Sequence, residues 1–195
     1  TYQRNSNERI DASSYGFPMD DFIYNNLGLG SSVQAPGSSK SEWELVSYLG
    51  RANYSFLDKY YLAASIRADG SSKFGANNKY GYFPSVSIGW SLADEKFIQE
   101  LDIFNQLKLR ASYGKTGNED IGSYRSLSLL GTSFGRRSSY IYGNSNYPIA
   151  YPNNIANPDL SWEKTSEYNV GLDVGFFEGR LGMAFDYYRK ETTDL

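Results

Sequence analysis

The 195-residue sequence contains no cysteine and no histidine. Without cysteine, neither a disulfide framework nor a thiolate metal site can form. Without histidine, the common catalytic triads, histidine proton shuttles and typical zinc sites are excluded. Carboxylates remain, but Glu163 and Glu167, on one face of a predicted strand, would lie roughly 13 Å apart, beyond the ~5 to 9.5 Å of glycoside hydrolysis. We therefore expect no enzyme activity, no cofactor and no metal.

Long hydrophobic runs are also missing. No stretch approaches the roughly 18 consecutive apolar residues of a membrane-spanning helix, and the mean hydropathy is −0.54. The 19 basic and 22 acidic residues give a net charge of −3 without a basic stripe, so nucleic acid is not an expected partner. The glycine-rich segment DGSSKFG lacks the Gly-Lys-Ser/Thr of a phosphate-binding loop. Its glycine and serine residues are typical of a turn, and we interpret it as one.

What the sequence does contain is alternation of apolar and small polar side chains, which is typical of strands. Three segments between residues 46 and 92 show it, a fourth lies at about 106–114, and two more follow after residue 160. One face of each strand is apolar, for example Val86, Ile88 and Trp90. The other carries serine, asparagine, glycine and charge, for example Ser85 and Ser87. The apolar face would be the core of a soluble sandwich or the lipid-facing surface of an outer-membrane barrel.

Aromatic residues make up 16% of the chain, and many of them fall at the predicted strand ends. Girdles of aromatic side chains at both water interfaces are typical of membrane barrels. This distribution favours the barrel over the sandwich.

Connection lengths give a second indication. The alternation predicts strands at about 45–57, 60–68, 83–93, 106–114 and 161–177, and a sixth from 181, with a turn of helix in 94–100. Tight turns are expected at 58–59 and 178–179, and long loops at 69–82 and 115–160. Outer-membrane barrels have short periplasmic turns and long extracellular loops. Six strands cannot close such a barrel, so we expect a segment of a larger one.

Several long strings then resemble consecutive barrel segments of the SusC/RagA family of TonB-linked outer-membrane transporters (TonB-dependent receptors). They are YLGRANYSFLDKYYLAASIRADGSSKFG, GYFPSVSIGWSLADEKF, LKLRASYGKTGNEDIGSY and NPDLSWEKTSEYNVGLDVGFFEGRLGMAFDYY. The resemblance covers about Trp43 to Asp194. Residues 1–42 match less clearly and are expected to form a variable extracellular loop, with barrel strands and loops in 43–195.

The resemblance implies a transmembrane barrel of roughly 22 antiparallel strands in the outer membrane of a Gram-negative bacterium. It implies a plug domain that is not in this chain and that contacts the TonB complex. It further implies active uptake of a large nutrient such as a glycan or peptide, together with a SusD-like surface lipoprotein.

Two sets of residues are candidate sites. Residues of the long loop suit sugar stacking, a protein interface or packing at the rim: Tyr140, Tyr142, Asn144, Asn146, Tyr147, Tyr151 and Asn153. Polar residues expected to face the lumen could form a substrate path, or could pair with each other or with the plug: Arg51, Arg67, Lys108, Arg110, Glu167, Asp173 and Asp186. Asn118, Glu119 and Asp120 could hold a hard cation, but a solvated turn is the preferred interpretation.

Two alternatives to energised transport remain open from the sequence. One is a passive porin, which requires an open lumen. The other is a soluble β module that binds carbohydrate or protein, in which the apolar faces pack on each other.

Overall fold

The computed structural model describes residues 1–19, 21, 25–133 and 139–194 of the chain. Antiparallel strands dominate it. The strands are β1 (Tyr2–Asp11), β2 (Ser14–Tyr15), β3 (Ser32–Val33), β4 (Gly37–Phe56), β5 (Tyr60–Ser71), β6 (Tyr80–Ser91), β7 (Phe104–Asn118), β8 (Leu130–Ser133), β9 (Ser139–Tyr142), β10 (Ser145–Pro152), β11 (Glu163–Phe176) and β12 (Leu181–Thr193). Helical structure in the described residues includes 3-10 turns at Leu27–Leu29 and Leu92–Asp94 and helix α1 (Lys96–Gln99). Among the described residues, no helix is long and apolar enough to cross a membrane.

Seven strands form one sheet, here called the main sheet, in the order β1-β4-β5-β6-β7-β11-β12. Every neighbouring pair in it is antiparallel. The predicted antiparallel all-β fold is confirmed, and β1 and β12 are the edges of a sheet that does not close on itself. A second, three-stranded sheet, here called the loop sheet, has the order β8-β10-β9.

Residues 1–42, which the sequence predicts to be an extracellular loop, contain a strand that the sequence did not predict. Residues 2–11 are strand β1, which pairs with residues 37–46 of β4. The segment YQRNSNERID is polar on both faces and exposed along its whole length. Strand prediction depends on one buried face, so a hairpin that meets water on both sides gives no period-two signal.

The connections sort to two ends of the main sheet. At the turn end lie 57–59, 92–103 and 177–180, and at the loop end lie 12–36, 72–79 and 119–162. The two hairpin turns are tight, as predicted. The connection 92–103 contains a 3-10 turn and α1, and α1 lies within the turn of helix predicted at 94–100. The loop-end connections include the longest in the chain.

Pairing register fixes the two faces of the main sheet, because directly opposed residues of antiparallel strands point to the same side. The series Tyr54, Leu62, Ile88, Ala111, Val170 and Tyr187 runs straight across one face, here called the apolar face. One residue along, Asn53, Ala63, Ser87, Ser112, Asn169 and Tyr188 run across the other, here called the polar face.

The apolar face of β4 changes character along the strand. Lys40, Glu42 and Glu44 stand opposite Glu8, Ser6 and Arg4, and they form ion pairs such as Lys40 Nζ to Glu8 Oε1 at 2.9 Å. From residue 46 to 56 the same face becomes apolar, a length that matches the roughly 9–11 residues of a membrane-crossing strand. The hairpin of β1 and β4 therefore extends past the apolar band at the loop end.

Candidate functional site

All seven residues predicted to face a lumen lie on the polar face. Lys108 is opposite Asp173, and Arg110 and Asp186 both stand opposite Gly171. Arg51, Arg67 and Glu167 occupy the corresponding positions of their strands. The alternation in the sequence is thus sufficient to assign these residues to one side of the sheet.

One group of charged side chains on this face, Arg110, Asp173 and Asp186, joins three strands and is here called the Arg110 cluster. Arg110 of β7 donates from Nε to Asp173 Oδ2 at 2.8 Å and from Nη2 to Asp173 Oδ1 at 2.9 Å. Its Nη2 also lies 3.2 Å from Asp186 Oδ1 on β12. Two parallel hydrogen bonds to one carboxylate fix the orientation of the guanidinium plane as well as the position of its charge.

Gly171 makes this arrangement possible. It lies between Arg110 and Asp186 in the register. A β-carbon there would be 2.6 Å from Asp186 Oδ1 and 2.8 Å from Arg110 Cζ. The glycine therefore provides the space through which Arg110 crosses β11.

The other charged residues of the set also have partners. Arg67 Nε lies 2.7 Å from Asp69 Oδ2, and Lys190 Nζ lies 3.2 Å from Glu167 Oε2. Lys108 Nζ lies 4.8 Å from the ring centre of Tyr61, in cation–π geometry. Arg51 donates to Asn53. The polar face is consequently an array of paired charges and hydroxyl groups, which suits a wet lining more than a catalytic centre.

A buried aromatic cluster, made of Phe74, Phe83 and Trp162, lies at the loop end. These residues are 2%, 6% and 3% exposed. Trp162 lies 4.6 Å from Phe74 and 5.5 Å from Phe83 between ring centres, and its Nε1 donates to the Lys79 carbonyl. Phe74 belongs to the 72–79 connection and Trp162 to 119–162. The cluster therefore ties two loops to the polar face of β6, which carries Phe83.

Hydrogen bonds extend this attachment along the long loop. Ser126 Oγ donates to the Phe74 carbonyl. The side chain of Asn154 accepts from Leu129 N at 2.9 Å and donates to the Leu127 carbonyl at 2.6 Å. These contacts hold the two chain segments that lead into and out of the loop sheet.

The loop sheet presents its tyrosines on one side. Tyr140 is directly opposite Tyr147, Tyr142 is opposite Ser145, and Tyr151 is opposite Gly131. Tyr147 and Tyr151 are four residues apart on β10 and therefore point to the same side. Tyr140 is opposite Tyr147, and Tyr142 is two residues from Tyr140, so all four tyrosines share one face. Each of them is exposed, and the Tyr151 ring lies over Gly131, where a β-carbon would be 2.9 Å from its Cζ. We call this surface the tyrosine face.

The predicted asparagines have less uniform positions. Asn144 follows Gly143 in the β9–β10 turn, and Asn153 donates its backbone N–H to the Leu129 carbonyl. The side chain of Asn146 lies outside the described residues. Asn118 accepts from Asp120 N and donates to Glu163. In the described part of the chain, no three His, Cys, Asp or Glu side chains are grouped so that they could hold a metal ion.

Comparison with known proteins gives a consistent result. Residues 2–195 match the family model described as TonB dependent receptor-like, beta-barrel. The chain is 37% identical over 195 residues to TonB-dependent receptor P3 of Formosa agariphila, covering 100% of the chain and 19% of that relative. It is 39% identical over 154 residues to TonB-dependent receptor SusC of Bacteroides thetaiotaomicron, covering 77% and 15%.

Solved structures agree. The structure of the RagAB peptide transporter superposes with a TM-score of 0.83 at 35% identity, over 100% of this chain and 21% of that one. The RagAB peptide importer in its open-open state gives a TM-score of 0.82 at 35% identity, over 98% and 20%. The chain therefore spans about a fifth of the proteins that it resembles.

Proposed function

The chain belongs to the family of TonB-dependent receptor β-barrels of the Gram-negative outer membrane, and from this premise we propose that it forms part of the wall and mouth of an energised nutrient transporter. The barrel that contains it takes up a large nutrient, a glycan or a peptide. The chain itself contributes binding and enclosure and performs no catalytic step.

In this proposal the apolar face meets lipid and the polar face lines the lumen. The observation that carries the proposal is the separation of chemistry across one sheet. Ile88, Val170 and Phe185 on the apolar face are 57%, 50% and 57% exposed, whereas the Arg110 cluster lies on the opposite face. A soluble protein rarely exposes so continuous an apolar surface to water. Contact with lipid on that side removes the free-energy cost of this exposure.

The loop end faces outward from the cell, because long loops are extracellular in barrels of this type. The loops 12–36, 72–79 and 119–162 then surround the mouth. The tyrosine face offers rigid rings with hydroxyl groups, which suit sugar stacking, a peptide or a protein surface. We propose that it contacts the nutrient or a SusD-like surface lipoprotein.

Energised transport requires a plug domain and contact with the TonB complex, both outside this segment. The test is to measure surface capture and accumulation separately in cells with and without active TonB, using labelled oligopeptides and labelled oligosaccharides as separate probes. We expect capture to persist and accumulation to stop without TonB. Accumulation at the normal rate without TonB would instead identify a passive porin.

The role of the tyrosine face is tested by Tyr140→Ala combined with Tyr147→Ala in the full-length receptor. We expect ligand capture or recovery of the lipoprotein to weaken about tenfold, which corresponds to ~1.4 kcal/mol. The matched control is Ile141→Ala, since Ile141 is exposed on the opposite side of the loop sheet. An equal effect of the control would show that the tyrosine face has no specific role.

A further inference from the structure

The connection 92–103 at the turn end folds back against the apolar face. Glu95 Oε1 accepts hydrogen bonds from Tyr60 Oη at 2.8 Å and from Trp90 Nε1 at 3.2 Å. Tyr60 and Trp90 are directly opposed on the apolar face, and their rings stack with centres 6.1 Å apart. Lys59 from the neighbouring turn completes the contact, with Nζ 3.3 Å from Glu95 Oε2. Glu95 therefore attaches the connection to the side of the sheet that meets lipid.

Beyond Glu95 the connection exposes apolar side chains. Phe97, Leu101 and Ile103 are 57%, 53% and 55% exposed. The backbone bonds Leu101 N to Ile98 O and Asp102 N to Gln99 O continue helical turns past α1. Phe97 and Leu101, four residues apart, consequently lie on one side of these turns, and Lys96, Gln99 and Glu100 occupy other positions. This is the pattern of a segment that lies in a membrane interface.

The two hairpin turns at the same end of the sheet also expose apolar side chains. Leu57 and Phe177 stand at the tips of the β4–β5 and β11–β12 turns with φ of +52° and +54°, and both are exposed. Asparagine or glycine adopts this left-handed backbone at lower cost than a bulky residue does. Both tips nevertheless present an apolar side chain. The contrast with the loop end is clear, since there the apolar face continues into the ion pairs of Arg4, Lys40, Glu42 and Glu44.

We propose that residues 95–103 form an interfacial anchor, in which Phe97 and Leu101 enter the phospholipid headgroup and acyl-chain boundary at the turn end. Glu95 is the positioning residue that fixes the anchor to Tyr60 and Trp90. The occupant is lipid because the anchor is continuous with the lipid-facing aromatic side chains. The proposal depends on the outer-membrane location of the barrel and not on what the receptor transports.

The test uses the full-length receptor in phosphatidylcholine–phosphatidylethanolamine vesicles, with any other cysteines replaced and a nitroxide attached at Phe97→Cys or Leu101→Cys. Oxygen concentrates in the bilayer and a nickel chelate stays in water, so their relative collision rates with the nitroxide report its surroundings. We expect high oxygen and low nickel accessibility at both positions. Gln99→Cys and Tyr142→Cys are the controls and should be accessible to nickel.

High nickel accessibility at positions 97 and 101 would overturn the proposal, because the segment would lie in water. Low accessibility to both reagents would also overturn it, because the segment would be covered by protein. Glu95→Ala should raise nickel accessibility and nitroxide mobility at position 97, whereas Glu95→Gln, which retains an acceptor oxygen, should largely restore the original values. Gel mobility of the unheated barrel verifies that each variant is folded.

Discussion

Ser87 and Ile88 are neighbours on β6, yet they belong to opposite surroundings. Ser87 continues a row of small polar side chains across the polar face, and Ile88 continues a row of apolar side chains across the other. In a sandwich the apolar row would be buried under a second sheet, but here Ile88 is exposed. In the proposed barrel Ile88 therefore meets lipid and Ser87 faces the lumen, so that neighbouring residues of one strand meet two different surroundings.

Aromatic residues sharpen the comparison because they occur on both faces in different roles. On the polar face Phe83 joins the buried aromatic cluster. On the apolar face Tyr60 and Trp90 remain near the turn end as a girdle. The same side-chain class therefore forms a core on one face and an interface on the other.

The largest expected effect comes from adjacent aromatic residues on opposite faces. Phe83→Ala should destabilise the barrel by about 3–5 kcal/mol, since it leaves a cavity against Phe74 and Trp162. Tyr82→Ala should cost clearly less, because Tyr82 is exposed. The measurement is the denaturant dependence of unfolding from vesicles. Equal losses would mean that the aromatic cluster is not a core.

A second pair tests which solvent each face meets. Val170→Arg, placed near the centre of the apolar band, should cost about 2–4 kcal/mol. Asn169→Arg on the polar face should cost much less, because a wet lumen hydrates the charge. Similar costs in the same vesicle assay would contradict the lipid-facing assignment.

Much of this comparison could be predicted from the sequence, because period-two alternation specifies faces wherever the two surroundings differ. It therefore located β5, β6, β7, β11 and the charged residues of the polar face. It failed for β1, whose two faces both meet water. Local alternation also carries no information on contacts between distant segments, and so Trp162, Asn154 and Glu95 were not recognised as attachment points. The shared face of Tyr140 and Tyr147 depends on hairpin register and became evident only from the structure.

A smaller effect is expected from glycines on the polar face. Gly171→Ala would place a β-carbon against Arg110 and Asp186 and should weaken that contact by about 1 kcal/mol, because the pair is partly exposed and screened by water. Gly182→Ala is the control, since a β-carbon there meets no atom within 4 Å. If neither variant changes the stability, the hydrogen bonds of Arg110 adjust without loss of free energy and do not require the glycine.

The smallest expected effect is a weakening at low pH of the contact that Glu95 makes with Tyr60 and Trp90. Hydrogen bonds from Tyr60 and then Trp90, opposed by desolvation and supported by Lys59, hold the pKa of the Glu95 carboxyl below its ordinary value of 4.5. A lowered folded-state pKa means that the carboxylate stabilises the attachment at neutral pH, and that this contribution is lost as the pH falls from the ordinary carboxyl range through the folded-state pKa. Nitroxide mobility at position 97 should thus remain constant at neutral pH and increase as the pH falls below the ordinary carboxyl range. It should rise only to the slightly higher mobility of Glu95→Gln, because both neutral side chains keep an acceptor oxygen and lose the ion pair with Lys59. In Glu95→Gln, which cannot ionise, the acid-dependent increase should disappear. An identical increase in that variant would assign the acid response to other carboxylates and not to the contact between the anchor and the apolar face.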